Sequence, residues 1–203
     1  MSANRLEAFS DGVLAVAITL LVLDIRVPPI GSPGSLGHEL ARQWPIYAAY
    51  VTSFLTIGII WINHHAMTNR LEQADHSILV LNLFLLLSIG VLPFATSLMS
   101  AYLKHPQGQH LAAAIYSGAF LVMSLMFSAL NRQILIKRPH LLKVQLSSGL
   151  RRRILARSLV GLVPYVIATA LAALSAYLTL AICALVALFY ALPMASRDET
   201  EVG

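Results

Sequence analysis

The chain reads as a succession of long apolar runs separated by short polar stretches. Six runs approach the ~20 residues that a helix needs to cross a ~30 Å hydrocarbon layer. Extended to their flanking polar residues, they predict helices over 5–26, 45–69, 76–103, 109–134, 153–174 and 177–194. No run shows the alternation of a half-buried strand, and in lipid every backbone N–H and C=O has to be satisfied within its own segment. The expected fold class is therefore an all-α integral membrane protein with six transmembrane helices in one domain, 1–203. The last two runs meet at Ser175–Ala176 and predict a tight helical hairpin. Pro93 and Pro164 fall inside the third and fifth runs, where they predict kinks rather than helix ends.

Composition agrees. Of 203 residues, 58% are hydrophobic and only 11% are charged, with a mean hydropathy of +0.74. Soluble domains carry about 25% charged residues, so a soluble enzyme, a nucleic-acid-binding domain and a disordered chain are all excluded. Cys183 stands alone in an apolar run and has no partner for a disulfide, so it reads as a small packing residue. The first run opens with Glu7 and Asp11 and has no basic flank or small-residue cleavage site. It is a spanning helix rather than a cleaved signal.

The distribution of Lys and Arg orients the bundle. With the N-terminus cytoplasmic, inner segments hold Arg5, Arg70, Arg132, Lys137, Arg138, Lys143, Arg151, Arg152, Arg153, Arg157 and Arg197, whereas outer loops hold Arg26, Arg42 and Lys104. The positive-inside rule then places both termini in the cytoplasm and the chain in the cell membrane. The loop 27–43 is the long outer connection, 131–153 is a basic cytoplasmic segment, and 196–203 is a polar tail. Arg151, Arg152 and Arg153 anchor the fifth helix at the interface, with anionic lipid headgroups as their expected partners.

The chemistry lies in the first helix. An aspartate just inside an apolar run is costly in lipid and should face protein or water. Val16, Leu20 and Leu23 recur at i, i+4 and i+7 and share a stripe, with Asp11 about 140° from Val16 at 100° per residue. One face is thus free to be purely aliphatic while Ser10 and Asp11 reach neighbouring helices. A simpler alternative keeps Ser10 and Asp11 as an interfacial N-cap. Trp61, Asn63 and His64 on the second helix lie at the same depth, and Asn82 on the third is close to it. These predict an interhelical hydrogen-bond network. His64 and His65 are adjacent, point about 100° apart and cannot share a metal from one face. No metal site and no cofactor is expected, and an interfacial aromatic anchor remains the alternative for Trp61.

Arg5-x-x-x-Phe9-Ser10-Asp11, followed by Thr19 and an aliphatic stripe, resembles the signature of the transmembrane-protein-175 family of potassium channels. The resemblance implies that the first helix lines a fourfold pore closed by bulky aliphatic side chains, without a re-entrant selectivity filter. Carried over by position, Val16 is the constriction, Thr19 contributes to selectivity, and Leu20 and Leu23 lie beyond. The family more often has Ile or Leu where this chain has Val16, so the tightest ring is expected to shift to Leu20 or Leu23. Ser10 and Asp11 then form the structural network with Trp61, His64 and Asn82. The signature occurs once in the chain, and one helix cannot enclose a pore, so a homotetramer is expected. The function implied is a modestly potassium-selective cation channel, with potassium as its permeant ion. A secondary transporter is the alternative, although matching broken helices in two halves are lacking. A membrane-embedded enzyme has too few intramembrane ionisable groups to be built here.

Overall fold

The computed structural model describes residues 1–30 and 34–192. Arg197, residues 193–194 of the expected last helix and the tail 196–203 lie outside them. Nine α-helices follow one another: α1 Ala3–Leu20, α2 Leu36–Arg42, α3 Trp44–Thr68, α4 His76–Gly90, α5 Leu92–Tyr102, α6 Gln109–Arg132, α7 Ser148–Val160, α8 Val163–Leu171 and α9 Ala176–Ala191. These are the helices among the described residues. A 3₁₀ turn, Leu21–Asp24, extends α1, and a π-turn, Gln133–Lys137, extends α6.

Five continuous stretches are long and apolar enough to cross a membrane: Ala3–Asp24, Trp44–Thr68, His76–Tyr102, Gln109–Lys137 and Ser148–Leu171. Six spans of full length were expected, and α9, with 16 residues, falls short of that length. Two spans are broken at their prolines. Pro93 removes a donor and its ring clashes with the carbonyl four residues back, and the helix divides at Val91 between α4 and α5. Pro164 does the same between α7 and α8.

Local signals set the helix starts. The side chains of Ser35, Asp75, Ser147 and Ser175 each accept a backbone N–H three residues on, capping α2, α4, α7 and α9. The Ser147 cap starts α7 five residues before the expected position 153, so the arginine triplet is helical rather than loop. The short α2 lies in the loop 27–43, where no helix was expected.

α6 is the hub, packed by α4, α5, α7, α8 and α9, while α1 lies outside it against α3 and α4. Small side chains on α6, among them Ala113, Ser117 and Ser124, are buried and let neighbours approach closely. Tyr116 and Phe120 fill the core in an edge-on pair with centroids 4.8 Å apart. The hydroxyl of Ser53 on α3 lies 2.8 Å from Thr96 on α5 and 3.1 Å from Tyr116 on α6, tying three helices together. Large apolar side chains on the outer surface, such as Phe54, Phe84, Phe94 and Phe189, stay exposed, as they do in a bundle solvated by lipid.

The end of the bundle that carries residue 1 is fastened by backbone bonds. Ala74 N–H donates to the Met1 carbonyl at 3.0 Å, and Ser2 pairs with Gln73. Glu72 N–H donates to Leu141 and Lys143 N–H to Arg70, both at 2.9 Å. The start of α1, the α3–α4 turn and the α6–α7 connection therefore form one clasp. Asp75 locks it. Its carboxylate accepts from Ile78 N–H at 2.9 Å and Ser77 Oγ at 2.8 Å, and pairs with Arg138 Nε at 2.7 Å. Partial burial pushes its pKa up, but these donors outweigh it and hold the carboxyl below its ordinary value. A depressed carboxyl stabilises the fold above its unfolded pKa of ~3.9 and loses that contribution as pH falls through the lower folded value. Asp75→Ala at neutral pH is expected to cost about 0.5–2 kcal/mol. Thermal melts of both proteins, in detergent and over a pH series, check it: the gap between variant and parent should be constant from neutral pH to about 4 and close below that.

Candidate functional site

α1 has two unlike faces. Ala3, Leu6, Ser10, Leu14 and Ala17 recur every three or four residues and are buried against the bundle. Phe9, Val16, Leu20 and Leu23 on other faces are exposed, Leu23 to 70%. The 3₁₀ turn has three residues per turn, so it brings Leu23 closer to standing directly above Leu20 than a continued α-helix would. The Thr19 hydroxyl, also on the exposed side, donates to the Val16 carbonyl at 2.9 Å. Its one proton is thereby used, and its oxygen lone pairs remain available outward.

The polar residues of α1 form two separate arms. In the buried arm, Ser10 Oγ donates to Leu6 O at 2.8 Å and therefore accepts from Asn82 Nδ2 at 3.0 Å. That turns Asn82 Oδ1 towards His64 Nε2, 2.8 Å away, so Nε2 carries a proton. Ser10, Asn82 and His64 are each 0% exposed. In the outer arm, Trp61 Nε1 donates to Asp11 Oδ1 at 2.9 Å. One turn closer to the clasp, Glu7 pairs with His65 Nδ1, whose ring lies against Trp61. Glu7 and Asp11 are i, i+4 on α1, and Trp61 and His65 are i, i+4 on the antiparallel α3, so the arm is a two-rung ladder. At the other end of the first span, Asp24 Oδ1 accepts from Ser97 Oγ on α5 at 2.9 Å.

Several expected positions are thus brought together and others are not. Trp61 joins Asp11, and His64 joins Asn82 and Ser10, but Asp11 and His64 are not bonded to each other. Asn63 is in neither arm. Its side chain bends back to the Ile59 carbonyl at 2.9 Å, because a residue next to His64 faces about 100° away from α4. Arg5 and Phe9 are exposed, and no hydrogen bond or ion pair joins Arg5 to the network. Of the arginine triplet, Arg151 donates to the Leu135 carbonyl at 3.2 Å, while Arg152 and Arg153 are exposed. The Glu7–His65 pair and the Asp24–Ser97 bond went unanticipated. The i, i+4 spacing to Asp11 and Trp61 was the available signal for the first.

Comparison with known proteins places this arrangement. Residues 5–93, which hold α1 and both arms, match the family model described as the endosomal/lysosomal potassium channel TMEM175. A potassium channel of Streptomyces collinus is 42% identical over 199 residues, covering 97% of this chain and 96% of that one. The chain belongs to the TMEM175 family. A potassium channel of Chamaesiphon minutus is 37% identical over 191 residues, covering 93% of each chain. The crystal structure of a lysosomal potassium-selective channel TMEM175 homologue from that organism superposes with a TM-score of 0.83 at 36% identity, covering 93% of this chain and 96% of that one. The human relative, an endosomal/lysosomal proton channel TMEM175, is 30% identical over 172 residues, 81% of this chain but 34% of its own length. TMEM175 members are membrane ion channels, not enzymes.

Removing one partner of a buried polar pair costs ~1–3 kcal/mol, or roughly 2–10 °C for a chain of this size. His64→Ala should lower the detergent melting temperature by that amount. Asn63→Ala, which breaks only a bond to its own helix, should leave it nearly unchanged. Equal shifts in the two melts would remove the distinction between the buried arm and the rest of α3.

Proposed function

We propose that this protein is a potassium channel of the cell membrane, built as a homotetramer around α1 with both termini in the cytoplasm and six crossings per subunit. The observation that carries the reading is the division of α1. Glu7, Ser10 and Asp11 are bonded to α3 and α4, and the stripe Val16, Leu20 and Leu23 is left with no protein to cover it. The names of the Streptomyces and Chamaesiphon relatives support potassium as the ion.

Four copies of the stripe around an axis make stacked aliphatic rings. Such a ring blocks ions when narrow, because it dewets and offers nothing in place of the hydration shell. Val16 is the smallest of the three side chains, so Leu20 and Leu23, brought into line by the 3₁₀ turn, form the tighter rings. Thr19 sits between the Val16 and Leu20 levels. Its proton is held by the Val16 carbonyl, and four hydroxyl oxygens facing the axis replace part of a cation's water. Hydroxyls alone, without a cage of carbonyls, give a modest preference for potassium over sodium. The two arms hold the inner half of α1 to α3 and α4, and Asp24–Ser97 holds its outer end to α5. Arg152 and Arg153 meet anionic headgroups at the inner surface.

Planar-bilayer recording tests the lining. Leu20→Asn and Leu23→Asn hydrate the rings and should raise resting current while lowering potassium preference. Val22→Asn should do neither, since Val22 is also exposed but lies about 200° from Leu20. Thr19→Val keeps the shape and should lower selectivity without closing the pore. If Val22→Asn acts like Leu20→Asn, or if none of the α1 variants changes the current, α1 does not line the pore.

A further inference from the structure

The side of α3 that carries Asn63 borders a cavity of about 240 Å³ that α6, α7, α8 and α9 also line. Most of its wall is apolar, with Ile59 and Met67 supplied by α3 and Met123 and Phe127 by α6. Several of its polar side chains are already engaged. The Thr56 hydroxyl donates to the Thr52 carbonyl at 2.7 Å, Ser158 Oγ lies 2.8 Å from Ser128 Oγ, and Asn63 bonds to its own helix. Arg157 also borders the space and is already partnered. Two side chains of α6 are different. Ser124 and Asn131 are only 8% and 4% exposed and both line the cavity, yet neither makes a side-chain hydrogen bond among the described residues.

A polar group left unpaired in an apolar interior costs its full desolvation, and nearly all such groups in folded proteins have a partner. Here two unpaired groups open into the same space from one face of one helix. Seven residues make two turns of α6, so Ser124 and Asn131 stand about 10 Å apart along the axis and within about 20° in direction. A hydroxyl and an amide are both neutral, and each can donate as well as accept. Their complement is a hydroxyl or carbonyl at each end of an apolar body, because a charge taken into this wall would lose its water without a matching partner at Ser124 or Asn131. We propose that the cavity is a binding site for an uncharged, elongated ligand, with one polar end on Ser124, the other on Asn131 and its apolar body along Ile59, Met67 and Phe127. No α1 residue lines the cavity, so the site is separate from the Val16–Leu23 stripe and does not require the tetrameric pore.

Photolabelling of the purified protein in phosphatidylcholine vesicles, with an octanol that carries a diazirine, reads the site residue by residue. Label should accumulate saturably on cavity residues such as Met67 and Phe127. 1,8-Octanediol, whose extended chain sets its hydroxyls at about the two-turn spacing, should suppress that label while leaving label on the exposed Phe94 unchanged. Ser124→Ala and Asn131→Leu should each raise the diol concentration required about fivefold, the loss of one neutral hydrogen bond. Suppression by 1-octanol, which has a single hydroxyl, should respond to only one of the two substitutions. Neither substitution breaks a hydrogen bond within the described fold, so both variants should melt in detergent at or above the parent temperature. Ala66→Phe, which fills the cavity from α3, should abolish the label on its wall. Label on Met67 as insensitive to the diol as label on Phe94 overturns the proposal and leaves a cavity that holds water alone. Unchanged competition in both polar variants overturns it as well, as does wall label that survives Ala66→Phe.

Discussion

A polar side chain inside hydrocarbon has to find its partner in the protein, and Asn82 meets that requirement for three helices at once. Its amide has one end that donates and one that accepts. Ser10 takes the donor because its own proton is already committed to Leu6, and His64 takes the acceptor. The order of donors along this chain leaves no freedom at any link. Because the three groups come from α1, α3 and α4, satisfying them also fixes the depth and rotation of α1. The two faces of that helix follow from this rotation, and so does the identity of the side chains left uncovered.

α3 works in two directions. His64 faces α4, Trp61 and His65 face α1, and Asn63 and Arg70 line the cavity on the far side. One continuous helix thus has α1 on one flank and, on the other, a cavity that α6, α7, α8 and α9 also line, with single-residue steps between them.

Five of the spans were legible because run length against bilayer thickness is a strong constraint, and the polar partners because few residues at matching depth were available to satisfy Ser10 and Asp11. What the sequence left open is rotational. Asn63 and His64 are equally polar neighbours, and only the packing of α4 decides which one faces inward. The start of α7 was missed for a local reason: Ser147 caps the helix six residues ahead of the expected start at 153, and arginines are good helix formers even where they are poor membrane residues. Hydrophobicity located the membrane-embedded part of that helix and not its beginning. The cavity beside Asn63 was not legible at all, since five helices line it, from Thr56 on α3 to Tyr190 on α9.

The clasp has a consequence for how the protein comes to be made. Met1 and Ser2 find their backbone partners at Gln73 and Ala74, and that turn is in turn bonded to residues 141–143. Each of these pairings joins segments synthesised about seventy residues apart. Ser10 likewise waits for Asn82, and Asp24 for Ser97. α1 is therefore synthesised well before the residues that hold it, and until α3, α4 and α5 have followed, its Ser10, Asp11 and Asp24 have no partner in the chain already made.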